Sequence, residues 1–305
     1  MSEQHRSFHQ IVSIDQVSLR PWAAAELSQY SEVPPVLASD IPADHAEIIR
    51  RIGTADCALV SWNTRVPREV IEACPNLRYI GMCCSLYDAA SANVDIAAAH
   101  AHGIDVRGIR DYGDTGLIEF ILSDLIRLVK GLGPCQWRDE PCEIAGKTLG
   151  IIGLGTTGRL LADAASALGV HILYYSRTRK EAAEAKGYAY HTLPELLKEA
   201  DFISVHLPRN TVLLHEAEFE TFGPGKVLIN TSLGTPFDVP ALQKWLDKPG
   251  TYAIFDKDGA GPHRAEFEDR GNVLIASKVA GMTAEAKERL SEKVLQNMKD
   301  HLAEK

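Results

Sequence analysis

The chain has 305 residues, enough for about two domains. Its 45% hydrophobic and 24% charged residues are the balance of a globular protein, not a disordered one. A formal net charge of −9 argues against non-specific nucleic-acid binding, which needs a basic face, yet leaves room for a local basic pocket around an anionic ligand.

The N-terminal run MSEQHRSFHQ lacks the apolar core of a signal peptide, and no stretch approaches a membrane span. The cysteines (Cys57, Cys74, Cys83, Cys84, Cys135 and Cys142) include no C-x-x-C pair and read as free thiols of a reducing compartment. A cytoplasmic protein with a small-molecule substrate is expected, with neither nucleic acid nor membrane as partner.

In chain order, residues 10–14, 55–61, 77–82 and 104–107 read as strands, with helices opening at Arg68 and running from Ile96 to a stop at Gly103. Strands alternating with helices imply a parallel α/β sheet. Thr115 to Val129 is the longest strongly apolar helical run; its apolar residues cover more than one face, which predicts burial between domains or subunits. Residues 136–146 are polar and irregular. A second strand–helix series follows, with strands at 148–152, 170–175, 202–206, 227–230, 252–255 and 273–276. A last helix, Ala284 to Leu302, is expected to return to the first domain.

The sharpest signal is Gly153-Leu154-Gly155-Thr156-Thr157-Gly158, a G-x-G-x-x-G that follows an apolar strand and opens a helix. In this context Gly153 permits a tight turn, Gly155 lets the backbone approach a pyrophosphate, and Gly158 allows close helix–strand packing. Free N–H groups at the helix start, those of Thr156 and Thr157 among them, face the phosphate oxygens. Eighteen positions after Gly158, where NAD-binding versions carry an Asp or Glu for the ribose 2′-OH, stands Ser176, followed by Arg177-Thr178-Arg179-Lys180. Arg suits a 2′-phosphate, so NADP(H) is expected over NAD(H).

With these residues in place the sequence resembles the D-isomer-specific 2-hydroxyacid dehydrogenases over nearly its whole length, most strongly from Ile144 to Thr283. Matching runs include 144–150, Leu193-Pro194-Glu195-Leu196-Leu197, the segment 200–208 ending in His206-Leu207-Pro208, and Asn230-Thr231-Ser232-Leu233-Gly234. The resemblance implies a Rossmann-type doubly wound domain (113–283) inserted into a smaller flavodoxin-like substrate domain (1–112 and 284–305), with the active site in the cleft and a homodimer as the usual assembly. It also implies cofactor contacts from His206, Leu207, Pro208, Thr231, Ser232, Leu233 and Asp256. The substrate loop falls at 82–89, where Cys83, Cys84, Ser85, Leu86 and Tyr87 replace a glycine-rich sequence.

The departures concern catalysis. The family's carboxylate-binding Arg is replaced by Leu233, no Glu follows Asp256 in its strand-end loop, where Gly259 stands, and Lys278 occupies the place of the proton-donating His. Leu cannot make a bidentate bond to a carboxylate. Lys278 is the catalytic candidate: a proton donor if buried in the cleft, or a point charge for a substrate anion. Tyr87 and Tyr112 are further possible donors for which no spacing speaks, and His263 falls on a loop after Gly259 that could enter the cleft. No group of His, Cys, Asp and Glu has metal-ligand spacing. The expectation is an NADPH-dependent reductase of a carbonyl or 2-hydroxyacid-like molecule with an atypical active site; the alternative is a catalytically inactive NADP(H)-binding sensor or partner-binding dimer.

Overall fold

The computed structural model describes residues 7–209 and 211–304. The chain divides into two compact units, Met1–Tyr112 with Thr283–Lys305, and Gly113–Met282. Each is a parallel sheet flanked by helices.

In the first unit the strands β1 (Ile11–Ser13), β2 (Cys57–Val60), β3 (Tyr79–Ser85) and β4 (Asp105–Ile109) pair in sequence order, all parallel. On the free side of β1, Val12 bridges to Val36, and Phe8 bridges to Ser31. The segment around Val36 thus takes the outer place of a flavodoxin-like 2-1-3-4-5 order, reduced to single bridges. Connecting helices α1 (Pro21–Glu26), α2 (His45–Ile52), α3 (Arg68–Ala73) and α4 (Ile96–Ala101) cover the faces. Asp44 and Asp95 cap α2 and α4 by accepting from Glu47 N and Ala98 N, each at 2.8 Å.

The second unit opens on α5 (Asp114–Lys130), stopped by Gly131 in the left-handed conformation at φ +66°. Its elements continue as β5 (Thr148–Ile152), α6 (Thr156–Ala167), β6 (His171–Tyr175), α7 (Glu181–Glu184), β7 (Ala189–Tyr190), α8 (Leu193–Glu199) and β8 (Phe202–Val205). Then come α9 (Glu216–Phe222), β9 (Val227–Asn230), α10 (Val239–Leu246), β10 (Tyr252–Phe255) and β11 (Val273–Ile275). The sheet order β11-β10-β9-β8-β5-β6-β7 is the doubly wound Rossmann arrangement with a seventh strand. Its switch point lies between β5 and β8, where ligands of such sheets sit beyond the strand C-termini. The final helix α11 (Ala284–Ala303), capped by Thr283, belongs to the first unit. Asn297 donates to Gly108 O at 3.0 Å, and His301 Nδ1 lies 2.7 Å from Asp105.

Within one chain, helix α5 buries Gly116, Ile118, Ile121, Leu125, Leu128 and Val129, while Leu117, Phe120, Leu122 and Ile126 stay half-buried. The irregular run after it is not simply polar. Trp137 is buried, packs at a tilt against Phe202 and donates to Gly225 O.

Among the described residues, no helix is long and apolar enough to cross a membrane, and no group of three or more His, Cys, Asp or Glu is placed to hold a metal ion.

Candidate functional site

The turn between β5 and α6 is shaped by what its glycines leave out. Gly153 has φ +99°, and a β-carbon there would lie 2.3 Å from His206 O. A β-carbon on Gly158 would lie 2.4 Å from Gly153 O, so turn and helix pack backbone to backbone. Gly155 differs: a β-carbon there would meet nothing within 4 Å. Of the three glycines, Gly155 alone has open space where its side chain would be.

Helix α6 starts immediately below. No side chain caps it, and among the described residues the N–H groups of Thr156 and Thr157 have no acceptor, which leaves the positive end of the helix dipole uncovered. The Thr157 hydroxyl is committed elsewhere, donating to Asp114 at 2.6 Å, so only its amide faces the site.

At the end of β6, the Ser176 hydroxyl donates to Thr178 O at 2.5 Å and closes the turn. Arg179 is occupied, with Nε and Nη2 reaching the two oxygens of Glu184 at 2.9 and 2.6 Å. Lys180 Nζ is 3.0 Å from the Thr178 hydroxyl. Arg177 is exposed and, among the described residues, its guanidinium has no partner.

The ends of β8, β9 and β10 complete the C-terminal rim. His206 is half-buried, with Nε2 3.0 Å from the Ser204 hydroxyl; desolvation pushes its imidazole down to about 4, so it is neutral. Ser232 ties the strand ends together, donating to Val205 O at 2.9 Å and accepting from Leu207 N at 3.3 Å. Pro208 is exposed. Among the described residues the buried Thr231 hydroxyl has no hydrogen-bond partner, an orphan that a bound polar ligand would satisfy. Together with the open face at Gly155 and the uncapped helix, it fits these residues to a dinucleotide.

Asp256 is buried, accepting from Ala280 N at 2.9 Å and Asp258 N at 3.2 Å; burial pushes its carboxyl up to about 6. Asn230 holds the neighbouring loop by donating to Gly259 O at 2.7 Å. Leu233 is 36% exposed. Lys278 is exposed too, and among the described residues its ammonium has no hydrogen bond or ion pair.

The substrate loop of the first unit begins inside a strand. Cys83 and Cys84 are fully inside β3; Cys84 Sγ lies 3.5 Å from Asn93, and burial pushes the Cys83 thiol up. Neither thiol faces solvent. Ser85 is half-buried and hydrogen-bonds Tyr112, whose phenol burial pushes up. Leu86 and Tyr87 line a cavity of about 530 Å³ whose wall also carries Arg110 and Lys293. Arg110 donates to Leu86 O and Tyr87 O at 2.7 and 2.8 Å, fixing the loop's path.

Sequence reasoning missed one pair. His263 Nδ1 is 2.7 Å from Glu266 on the helical turn Gly261–Glu266. The i, i+3 spacing in the sequence was the available signal.

Comparison with known proteins places the chain in a family. Residues 133–280 match the model of the D-isomer specific 2-hydroxyacid dehydrogenase NAD binding domain. The chain is 31% identical over 277 residues to a glyoxylate reductase of Thermococcus litoralis, covering 82% of each chain. It is 27% identical to a hydroxypyruvate reductase of Blautia hydrogenotrophica, covering 85% of this chain and 86% of that one. Among solved structures, an acyclic imino acid reductase in complex with NADPH and D-Arg superposes with a TM-score of 0.82 at 24% identity, covering 97% and 98% of the two chains. The apo D-lactate dehydrogenase of Escherichia coli gives 0.76 at 24%, covering 95% and 96%. The chain belongs to the D-isomer-specific 2-hydroxyacid dehydrogenase family. It is an NAD(P)-dependent oxidoreductase.

Proposed function

We propose that the chain is a reductase that prefers NADP(H), acting on a small 2-oxo-acid-like molecule through an active site that lacks the family's Arg, Glu and His. The observation that carries the cofactor preference is Arg177, exposed and, among the described residues, unpaired beside Ser176, where a carboxylate would repel a 2′-phosphate. Gly153, Gly155, Thr156, Thr157 and Gly158 would hold the pyrophosphate on backbone amides. Ser176, Arg177 and Thr178 would surround the adenosine ribose. His206 to Pro208, Thr231 to Leu233 and Asp256 would line the nicotinamide end, and Lys278 would supply the positive charge for the substrate. The bound dinucleotide supplies the hydride; the protein supplies position and charge. Turnover of a 2-oxo-acid panel with NADPH and with NADH tests the reading: NADPH should sustain the faster reaction, and equal rates would remove the preference.

A second reading keeps a conventional carbonyl reductase with relocated acid–base groups, favoured by the His263–Glu266 pair at 2.7 Å. A second copy of the chain would cover the half-buried row Leu117, Phe120, Leu122 and Ile126 of α5, giving a homodimer; sedimentation at the mass of one chain would exclude it.

A further inference from the structure

We propose that the substrate is a 2-imino acid that enters already protonated as its iminium, and that Lys278 holds its carboxylate instead of supplying a proton. The inference rests on the reductase reading above and narrows its substrate class.

Reduction of a 2-oxo acid sets two tasks, anchoring the carboxylate and protonating the nascent alkoxide. At the positions matching the family's catalytic set, one charged side chain remains for both. Leu233 can do neither. The loop after Asp256 is closed to a new carboxylate: a β-carbon on Gly259 would lie 2.1 Å from Asn230 O, and Gly261 has φ +56°, where a side chain is strained. Lys278 is left, exposed and with its ammonium unpartnered among the described residues.

Substrate chemistry resolves the shortfall. Hydride addition to a carbonyl carbon pushes the π pair onto oxygen, and the alkoxide needs a proton from a positioned acid, a contribution of about 10² to 10⁴ in rate. Addition to an iminium carbon pushes the π pair onto a nitrogen that already bears its proton. A neutral amine results and takes a further proton from water after release. The reduced nicotinamide gives up the hydride and is oxidised, the C=N bond is reduced, and no further reactant is required. The carboxylate still needs a counter-charge, which a lysine ammonium provides as a point charge.

Glyoxylate mixed with methylamine forms the imine in solution. With NADPH present, N-methylglycine should be made at least about a hundredfold faster than glyoxylate alone is reduced, as followed by mass spectrometry. Lys278→Arg should retain most of this activity, because Arg anchors a carboxylate but keeps its proton. Lys278→Ala should raise KM with little change in kcat. Calorimetry of N-methylglycine into protein loaded with NADP+ reads the anchor without turnover: binding should persist in Lys278→Arg and weaken at least about tenfold in Lys278→Ala. Equal rates with and without methylamine, or a Lys278→Arg as impaired as Lys278→Ala, would overturn the proposal. Glyoxylate reduction that is fast without methylamine and lost in His263→Gln would overturn it too, naming His263 as the acid. In all of these failures NADPH still binds; failure to bind NADPH would sink the reductase reading itself.

Discussion

The carbonyl oxygen of Asn230 lies so close to Gly259 that a β-carbon on the glycine would sit 2.1 Å from it. The Asn230 side chain locks the same approach from the other side by donating to Gly259 O at 2.7 Å. The ends of β9 and β10 are therefore joined backbone to backbone where a carboxylate side chain would have to begin. Gly259→Glu should fail to create carbonyl reduction and should destabilise the protein by about 1–3 kcal/mol through overpacking. Urea unfolding of the variant checks this, and unchanged stability would show that the contact yields.

The glycine turn should separate folding from binding. Gly153→Ala places a β-carbon against His206 O at a φ of +99° and should lower stability by more than about 1 kcal/mol. Gly155→Val meets no protein atom within 4 Å at its β-carbon, so its stability should hold while NADPH affinity falls at least about tenfold. Thermal unfolding and calorimetry on both variants distinguish the two effects.

The two arginines of the basic turn should behave differently. Arg177→Ala should weaken NADPH binding about tenfold or more and leave NADH binding unchanged, because its guanidinium is free for a 2′-phosphate. Arg179→Ala should act on local stability instead, since that side chain is engaged by Glu184. Parallel titrations with both nucleotides read the difference.

Asp256 supplies a pH dependence. Its carboxyl is raised from 3.8 to about 6 by burial, so the folded state binds a proton that the unfolded state releases. Its contribution is fully present below about pH 4 and is lost as pH rises through about 6, a loss of about 3 kcal/mol at most. Asp256→Asn cannot ionise, so relative to the parent it should gain stability between pH 4 and pH 7. Unfolding at both pH values tests the sign; a constant difference would mean that the carboxyl is not desolvated.

Much of this was readable before the fold was known, for physical reasons. The Gly153–Gly158 motif and the runs at 148–152, 227–230 and 252–255 are local signals, apolar strands with turn chemistry at fixed offsets. The short β7 and the helices α1 and α2 were passed over because so few residues carry little periodicity. Cys83 and Cys84 were placed in the substrate loop, but β3 extends through Ser85 and holds both thiols inside, as free cysteines that fill a core are held. The squeeze between Asn230 and Gly259 joins residues 29 apart, and no window of sequence shows it. Arg177 and Arg179 look alike in the sequence; only Glu184 tells them apart.

The most direct measurement is calorimetric titration of the purified chain with NADPH and, separately, with NADH. The expected result is binding of both, with NADPH at least about tenfold tighter. Equal affinities would contradict the role given to Arg177, and no heat from either nucleotide would contradict the assignment of the Gly153–Gly158 turn as a dinucleotide site.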